Sequence, residues 1–134
     1  MIILKKHGIL NSHITKVLTD LGHTDQITIG DCGLPMPAHV NKIDLAITLR
    51  TPSFIDVLEA VITDMQVEKV ILATEIKEHN KNLADQLSEK FKNIDIEYVN
   101  HEALKKQTHE SKAFIRTGEA TPYANIILQS GVIF

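Results

Sequence analysis

The chain has 134 residues, 43% of them hydrophobic, 23% charged and 4% aromatic, with a formal net charge of −3. That length allows one compact domain with a substantial core and little room for a second, and the composition is that of an ordinary folded chain rather than a disordered or fibrous one. An acidic balance without tryptophan supplies neither the charge to hold a phosphate backbone nor a stacking platform for bases, so no nucleic-acid partner is expected.

The apolar opening Met1-Ile2-Ile3-Leu4 is cut short by Lys5-Lys6-His7 before it reaches the length of a secretory core, and no later run nears a membrane span. The chain is therefore expected to stay in the cytosol, away from membrane. Asn11 and Ser12 offer helix caps, and Ile14, Val17, Leu18 and Leu21 recur at helical spacing up to a stop at Gly22. The β-branched stretch from Gln26 to Asp31 predicts a first strand. Cys32, which follows it, is the single cysteine; it can make no internal disulfide or zinc signature, and a small buried side chain is expected. After a loop holding Pro35 and Pro37, Lys42 to Leu49 reads as a second strand.

Pro52-Ser53 opens a helix through about Met65, with Phe54, Val57, Leu58, Val61 and Ile62 on one face. Val67 to Thr74 is apolar without alternation, as in a strand covered on both sides. A polar amphipathic helix from about Lys81 to Phe91, a strand at Ile94 to Val99 and a short helix starting near His101 follow. Two last β segments, Ala113 to Thr117 and Asn125 to Leu128, are joined by the turn-rich Gly118 to Tyr123. This alternation predicts one α/β domain over residues 1–134, three-layer α/β/α, around a mostly parallel sheet that becomes mixed if the last two strands pair. In such sheets function gathers beyond the carboxyl ends of the strands, which picks out Asp31, Glu75 and His101.

The seven histidines include no HxH or HExxH pair, so no metal site is expected. Nucleophile-elbow, dinucleotide and P-loop signatures are also missing. His23, just past the Gly22 stop, either bonds the last carbonyls of the first helix or transfers protons, the task to which an imidazole of pKa ~6.5 is best matched. Asp31 is either a turn former or a carboxylate that accepts from a hydroxylated ligand. Tyr123 and Asn125 read as a core aromatic and a turn residue, or as an apolar face, a hydroxyl and an amide offered to a sugar. His101-Glu102 can be simply a helix start, and Lys105-Lys106 a solvated face.

Several separated blocks carry a resemblance to a known family: Lys5-Lys6-His7-Gly8-Ile9-Leu10-Asn11, Leu21-Gly22-His23-Thr24-Asp25, Asp31 with Gly33-Leu34-Pro35, and Pro52-Ser53-Phe54. Glu75-Ile76-Lys77, His101-Glu102, Ile115 to Glu119, and Thr121-Pro122-Tyr123-Ala124-Asn125 with Gly131 and Phe134 continue it. Together these resemble the D-ribose pyranases, with the fucose mutarotases as more distant relatives. Cys32 stands where that family often has alanine, three residues precede its usual start, and the helix around Lys81 to Asn93 matches loosely. The resemblance implies an isomerase without cofactor that interconverts the β-pyranose and β-furanose forms of D-ribose in the cytosol, upstream of ribokinase. It also implies a ring-like homo-oligomer, a decamer. By matching motif, His23 is the proton donor, and Asp31, His101, Tyr123, Ala124 and Asn125 contact the sugar.

An extended segment at ~3.3 Å per residue holds His23 and Asp31 on the order of 20 Å or more apart, too far for one pocket within a subunit. If both serve one site, that site is expected to form between subunits. Three other readings stay open: an anomer mutarotase acting on ribose or fucose, a sugar-binding module without catalysis, and a metal-dependent sugar isomerase.

Overall fold

A computed structural model describes residues 5–134; the apolar opening Met1–Leu4 lies outside the described residues. The first helix, α1 (Ser12–Asp20), begins where Asn11 accepts a hydrogen bond from the backbone N–H of Ile14. Strand β1 (Gln26–Gly30) follows, then β2 (Asn41–Asp44), helix α2 (Phe54–Thr63) and β3 (Val67–Ala73). Two helices, α3 (Ile76–His79) and α4 (Lys81–Lys90), lead to β4 (Asp95–Val99) and α5 (His101–Gln107); β5 (Ala113–Arg116) and β6 (Ile126–Ser130) complete the order. Ser53 caps α2 through the N–H of Asp56, and Asn100 caps α5 through that of Ala103, the short polar side chains that helix starts favour.

The sheet runs β2-β5-β1-β6-β3-β4. All neighbours are parallel except β6, which is antiparallel to both β1 and β3. The sheet is thus mixed, but not by pairing of the last two strands, because β1 separates β5 from β6. The link between them, residues 117–125, leaves β5 at the carboxyl edge and passes over the end of β1. It is too short for the crossover that a parallel return would need, so β6 enters from the same edge and runs back.

The two faces are covered unequally. Ile27, Ile29, Val70, Leu72, Ile126 and Leu128 point to a thick layer made by α1, α2 and α4. Their neighbours in the alternation, Ile71, Ala73, Phe114 and Ile127, form a smaller cluster with Leu104 of α5, Val99 of β4 and the loop carrying Leu34, Met36 and Val40. Strand β3 is buried on both sides from Val70 to Ala73, which explains the apolar run over those four residues; Glu68 and Lys69 interrupt the longer run expected from Val67. Thr28, on the thin side, satisfies its hydroxyl on Ser111 at 2.7 Å.

Three local expectations are corrected. The second strand ends at Asp44 instead of Leu49: Asp44 accepts from the N–H of Ala46, the chain turns, and Ile47 and Leu49 are exposed. That turn packs against Gly118, where a Cβ would lie 2.5 Å from the Thr51 backbone, so only glycine fits. Cys32 is partly exposed rather than buried. Helix α3, a single turn, adds an element that the apolar periodicity does not mark. No helix among the described residues is long and apolar enough to cross a membrane.

Candidate functional site

Five of the six sequence-predicted residues meet at the carboxyl edge. Asp31 follows β1; its Oδ1 accepts from the N–H of Gly33 at 3.0 Å, the turn expected of it, while its own N–H donates to Oδ1 of Asn125 at 2.8 Å. Asn125 and Ala124 are fully buried just before β6. His101 is the first residue of α5, and its N–H points between both carboxylate oxygens of Glu75, each at 3.0 Å. Tyr123 has φ 57°, and its ring meets His101 edge-on at 5.0 Å and His79 at 5.6 Å. Asn80 ties the loop down by donating to Thr121 Oγ1 and Pro122 O.

Two atoms of this cluster are orphaned. Nδ2 of Asn125 and Nδ1 of His101 are buried without a hydrogen-bond partner among the described residues. An unsatisfied buried polar atom costs about 1–3 kcal/mol, so each calls for a partner of complementary chemistry. Burial pushes the Asp31 carboxyl above its ordinary range, against the opposing pull of the Gly33 and Leu34 N–H groups, of the Asn125 amide, which lies near but outside hydrogen-bonding geometry, and of His101. The edge therefore offers a carboxylate, an amide donor, an imidazole nitrogen and a phenol around one spot. Such a set can bind the several hydroxyls of a sugar, with the Tyr123 ring as an apolar wall. Among the described residues no three His, Cys, Asp or Glu side chains converge as a metal site.

His23 lies at the other edge. It sits in a turn before β1, held by Asp25 N–H to Gly22 O and hung on β6 by Thr24 N–H to Ser130 O. Its ring does not cap α1. Nε2 lies 2.8 Å from Oε1 of Glu68, within hydrogen-bond reach, and Gln129 Nε2 donates to the other carboxylate oxygen at 2.7 Å. These two bonds, that from Gln129 foremost, hold the Glu68 carboxyl below its usual range. Beside His23, a groove is walled by Leu18, Leu21, Met65 and the tail from Val132 to Phe134. One chain thus keeps His23 and Asp31 at opposite ends of β1.

Sequence reasoning missed Glu68, Gln129, His79 and Asn80. Glu68 is 45 positions from His23 and Asn80 is 41 from Thr121; no local spacing rule links them.

Comparison with known proteins adds an independent line. Residues 4–133 match the RbsD / FucU transport protein family. The chain is 56% identical to a D-ribose pyranase of Bacillus cytotoxicus, across 98% of this chain and all of that protein. It is 59% identical to one of Staphylococcus haemolyticus, covering 96% and 98%. The structure of Bacillus subtilis RbsD complexed with D-ribose superposes with a TM-score of 0.94 at 55% identity, over 97% of this chain and 99% of that one. A fucose mutarotase from Streptococcus pneumoniae in complex with L-fucose shares the fold, with a TM-score of 0.74 at 22% identity over 92% and 94%. With nearly its full length matched, the chain belongs to the RbsD / FucU family.

Proposed function

We propose that this chain interconverts the pyranose and furanose forms of D-ribose by acid–base ring opening and closure. The observation that carries this reading is the pair of orphaned buried atoms, Asn125 Nδ2 and His101 Nδ1, beside Asp31. They form a polar socket in a chain at least 55% identical to the D-ribose pyranases of Bacillus cytotoxicus and Staphylococcus haemolyticus and to an RbsD bound to ribose.

The chemistry needs few groups. A proton reaches the ring oxygen as another leaves the anomeric hydroxyl; the bond from the anomeric carbon to the ring oxygen breaks, giving the open aldehyde. Closure through the C4 hydroxyl in place of the C5 hydroxyl then returns both protons and changes the ring size. Proton balance is closed, and no redox step occurs. His23 is assigned the proton exchange, while Asp31, His101 and Asn125 hold hydroxyls and Tyr123-Ala124 shape the wall. A positioned acid or base contributes ~10²–10⁴ in rate, a useful gain over a reaction that already proceeds unaided.

The separation of His23 from the socket supports a composite site, with His23 of one subunit completing the socket of another. Leu10, Ile47, Leu49, Ile133 and Phe134 are exposed large apolar residues, and surface of this kind calls for a partner. A closed ring, as in a decamer, repeats such a contact with no free end. In the cell the protein would act in the cytosol and supply furanose to a ribose kinase.

The test is NMR exchange spectroscopy on D-ribose with the wild type and His23→Ala. Wild type accelerates pyranose–furanose exchange, and His23→Ala loses ~10²-fold or more of that acceleration with its circular dichroism unchanged. Acceleration of anomer exchange alone would make the chain a mutarotase, and ribose binding without any rate effect would make it a sugar-binding module.

A further inference from the structure

Glu68 is held in place by three independent features. The β3–β6 register shifts between Val67, which faces Ser130, and Lys69, which faces Gln129, so Glu68 is the extra residue of a bulge. Regular alternation back from Ile71 and Ala73 would place Glu68 on the thick side of the sheet; the bulge re-aims its carboxylate toward Gln129, as bulges beside functional sites do. Gly131 leaves the room: a Cβ there would fall 3.0 Å from Glu68 Cβ and 3.5 Å from its Oε1.

The third feature is a directed chain of side chains. Gln107 Nε2 donates to Gln26 Oε1, Gln26 Nε2 to Gln129 Oε1, and Gln129 Nε2 to Glu68 Oε2, at 2.8, 2.9 and 2.7 Å. Gln26 and Gln129 each accept with the oxygen and donate with the nitrogen, so the direction is consistent from α5 to β3. An ionised carboxylate only accepts. Oε1 of Glu68 therefore requires a proton on His23 Nε2, 2.8 Å away.

We infer that Glu68 is a positioning residue that fixes His23 as the Nε2–H tautomer, which makes Nδ1 the atom that exchanges protons with the sugar. This rests on the assignment of His23 to proton exchange. Nδ1 takes the proton of the anomeric hydroxyl with its lone pair, the ring becomes an imidazolium steadied by the Glu68 carboxylate, and Nδ1 gives the proton to the ring oxygen as its bond to the anomeric carbon breaks and the C1 carbonyl forms; closure runs the same steps in reverse through the C4 hydroxyl. Partners of the second ring nitrogen set which tautomer a histidine presents.

The test combines 15N solid-state NMR of histidine-labelled protein, with His23 assigned by its loss in His23→Ala, and ribose exchange kinetics. The wild type should show Nε2 protonated. Glu68→Gln puts one acceptor oxygen between two donors, so the His23 signal should lose that tautomer and kcat should fall ~10-fold or more with KM within about twofold. The exchange E68Q/Q129E restores every hydrogen-bond direction: the amide now at position 68 accepts from His23 and donates to the carboxylate now at position 129. It should return the Nε2–H tautomer and raise kcat above that of Glu68→Gln. Gly131→Ala, which displaces the carboxylate without removing it, should act in the same direction as Glu68→Gln and more weakly. A wild-type proton on Nδ1, or a tautomer indifferent to Glu68→Gln, overturns the inference. Full activity of His23→Ala would overturn the parent assignment alone, because the tautomer is read without reference to turnover.

Discussion

At the carboxyl edge of the sheet, Asn125 Nδ2 and His101 Nδ1 are buried with no partner and the Asp31 carboxyl is pushed up by burial. At the amino edge, Glu68 has a donor on each oxygen, and the chain behind it is satisfied as far as α5. One edge is incomplete by itself and keeps hydrogen-bonding capacity that the hydroxyls of the proposed sugar would fill. The other is complete and is built to hold an exposed ring in one orientation. A proton-exchanging group needs fixed geometry more than depth, whereas a binding socket needs unspent hydrogen-bonding capacity, so the two tasks favour opposite states of satisfaction.

The sharpest way to break this division is subunit mixing. His23→Ala and Asp31→Asn should each be nearly inactive, yet a mixture refolded together should recover activity, about a quarter of wild type for random pairing across one shared interface. Ribose exchange NMR on the mixture decides it, and no recovery would mean that each chain carries a whole site. Next in size is Asn125→Ala, which removes both the donor proposed to face the sugar and the acceptor of the Asp31 N–H. It should raise KM at least tenfold and lower stability by about 1–3 kcal/mol in urea denaturation.

The smallest effect tests what the socket costs the fold. Asp31 holds its proton to higher pH in the fold than in the unfolded chain, so unfolding releases a proton in the window between the two pKa values. Stability is highest below the unfolded value and falls as pH rises through the folded one, leaving a penalty at neutral pH. Asp31→Asn keeps an oxygen for the Gly33 N–H and removes that penalty. It should therefore raise stability at pH 7 more than at pH 3, measured by urea melts at both. A loss of stability at pH 7 would show that the carboxylate steadies its loop more than burial penalises it.

Much of this was legible along the chain. The caps Asn11 and Ser53 mark helix starts because capping is a local matter between one side chain and the next turn. The apolar run Val70 to Ala73 in β3 announced burial on both faces, and the places of Asp31 and His101 followed from the rule about strand ends. What failed to show depended on distant partners. The early end of β2 follows from a turn packed against Gly118, and the place of β6 depends on a neighbour, β1, introduced a hundred residues before. Glu68 belongs to no motif in the sequence, and only the bulge and Gln129 give it a direction.

By itself, the sequence determined the alternating α/β elements, the separation of His23 from Asp31 along an extended strand, and the family-like motifs at both edges, since periodicity, capping and strand length are short-range properties. Only the tertiary structure decided that β6 runs backward between β1 and β3, that Asn125 is buried with a free donor, and that His23 answers to Glu68. Those facts arise where segments far apart in the chain compete for the same space and the same hydrogen bonds.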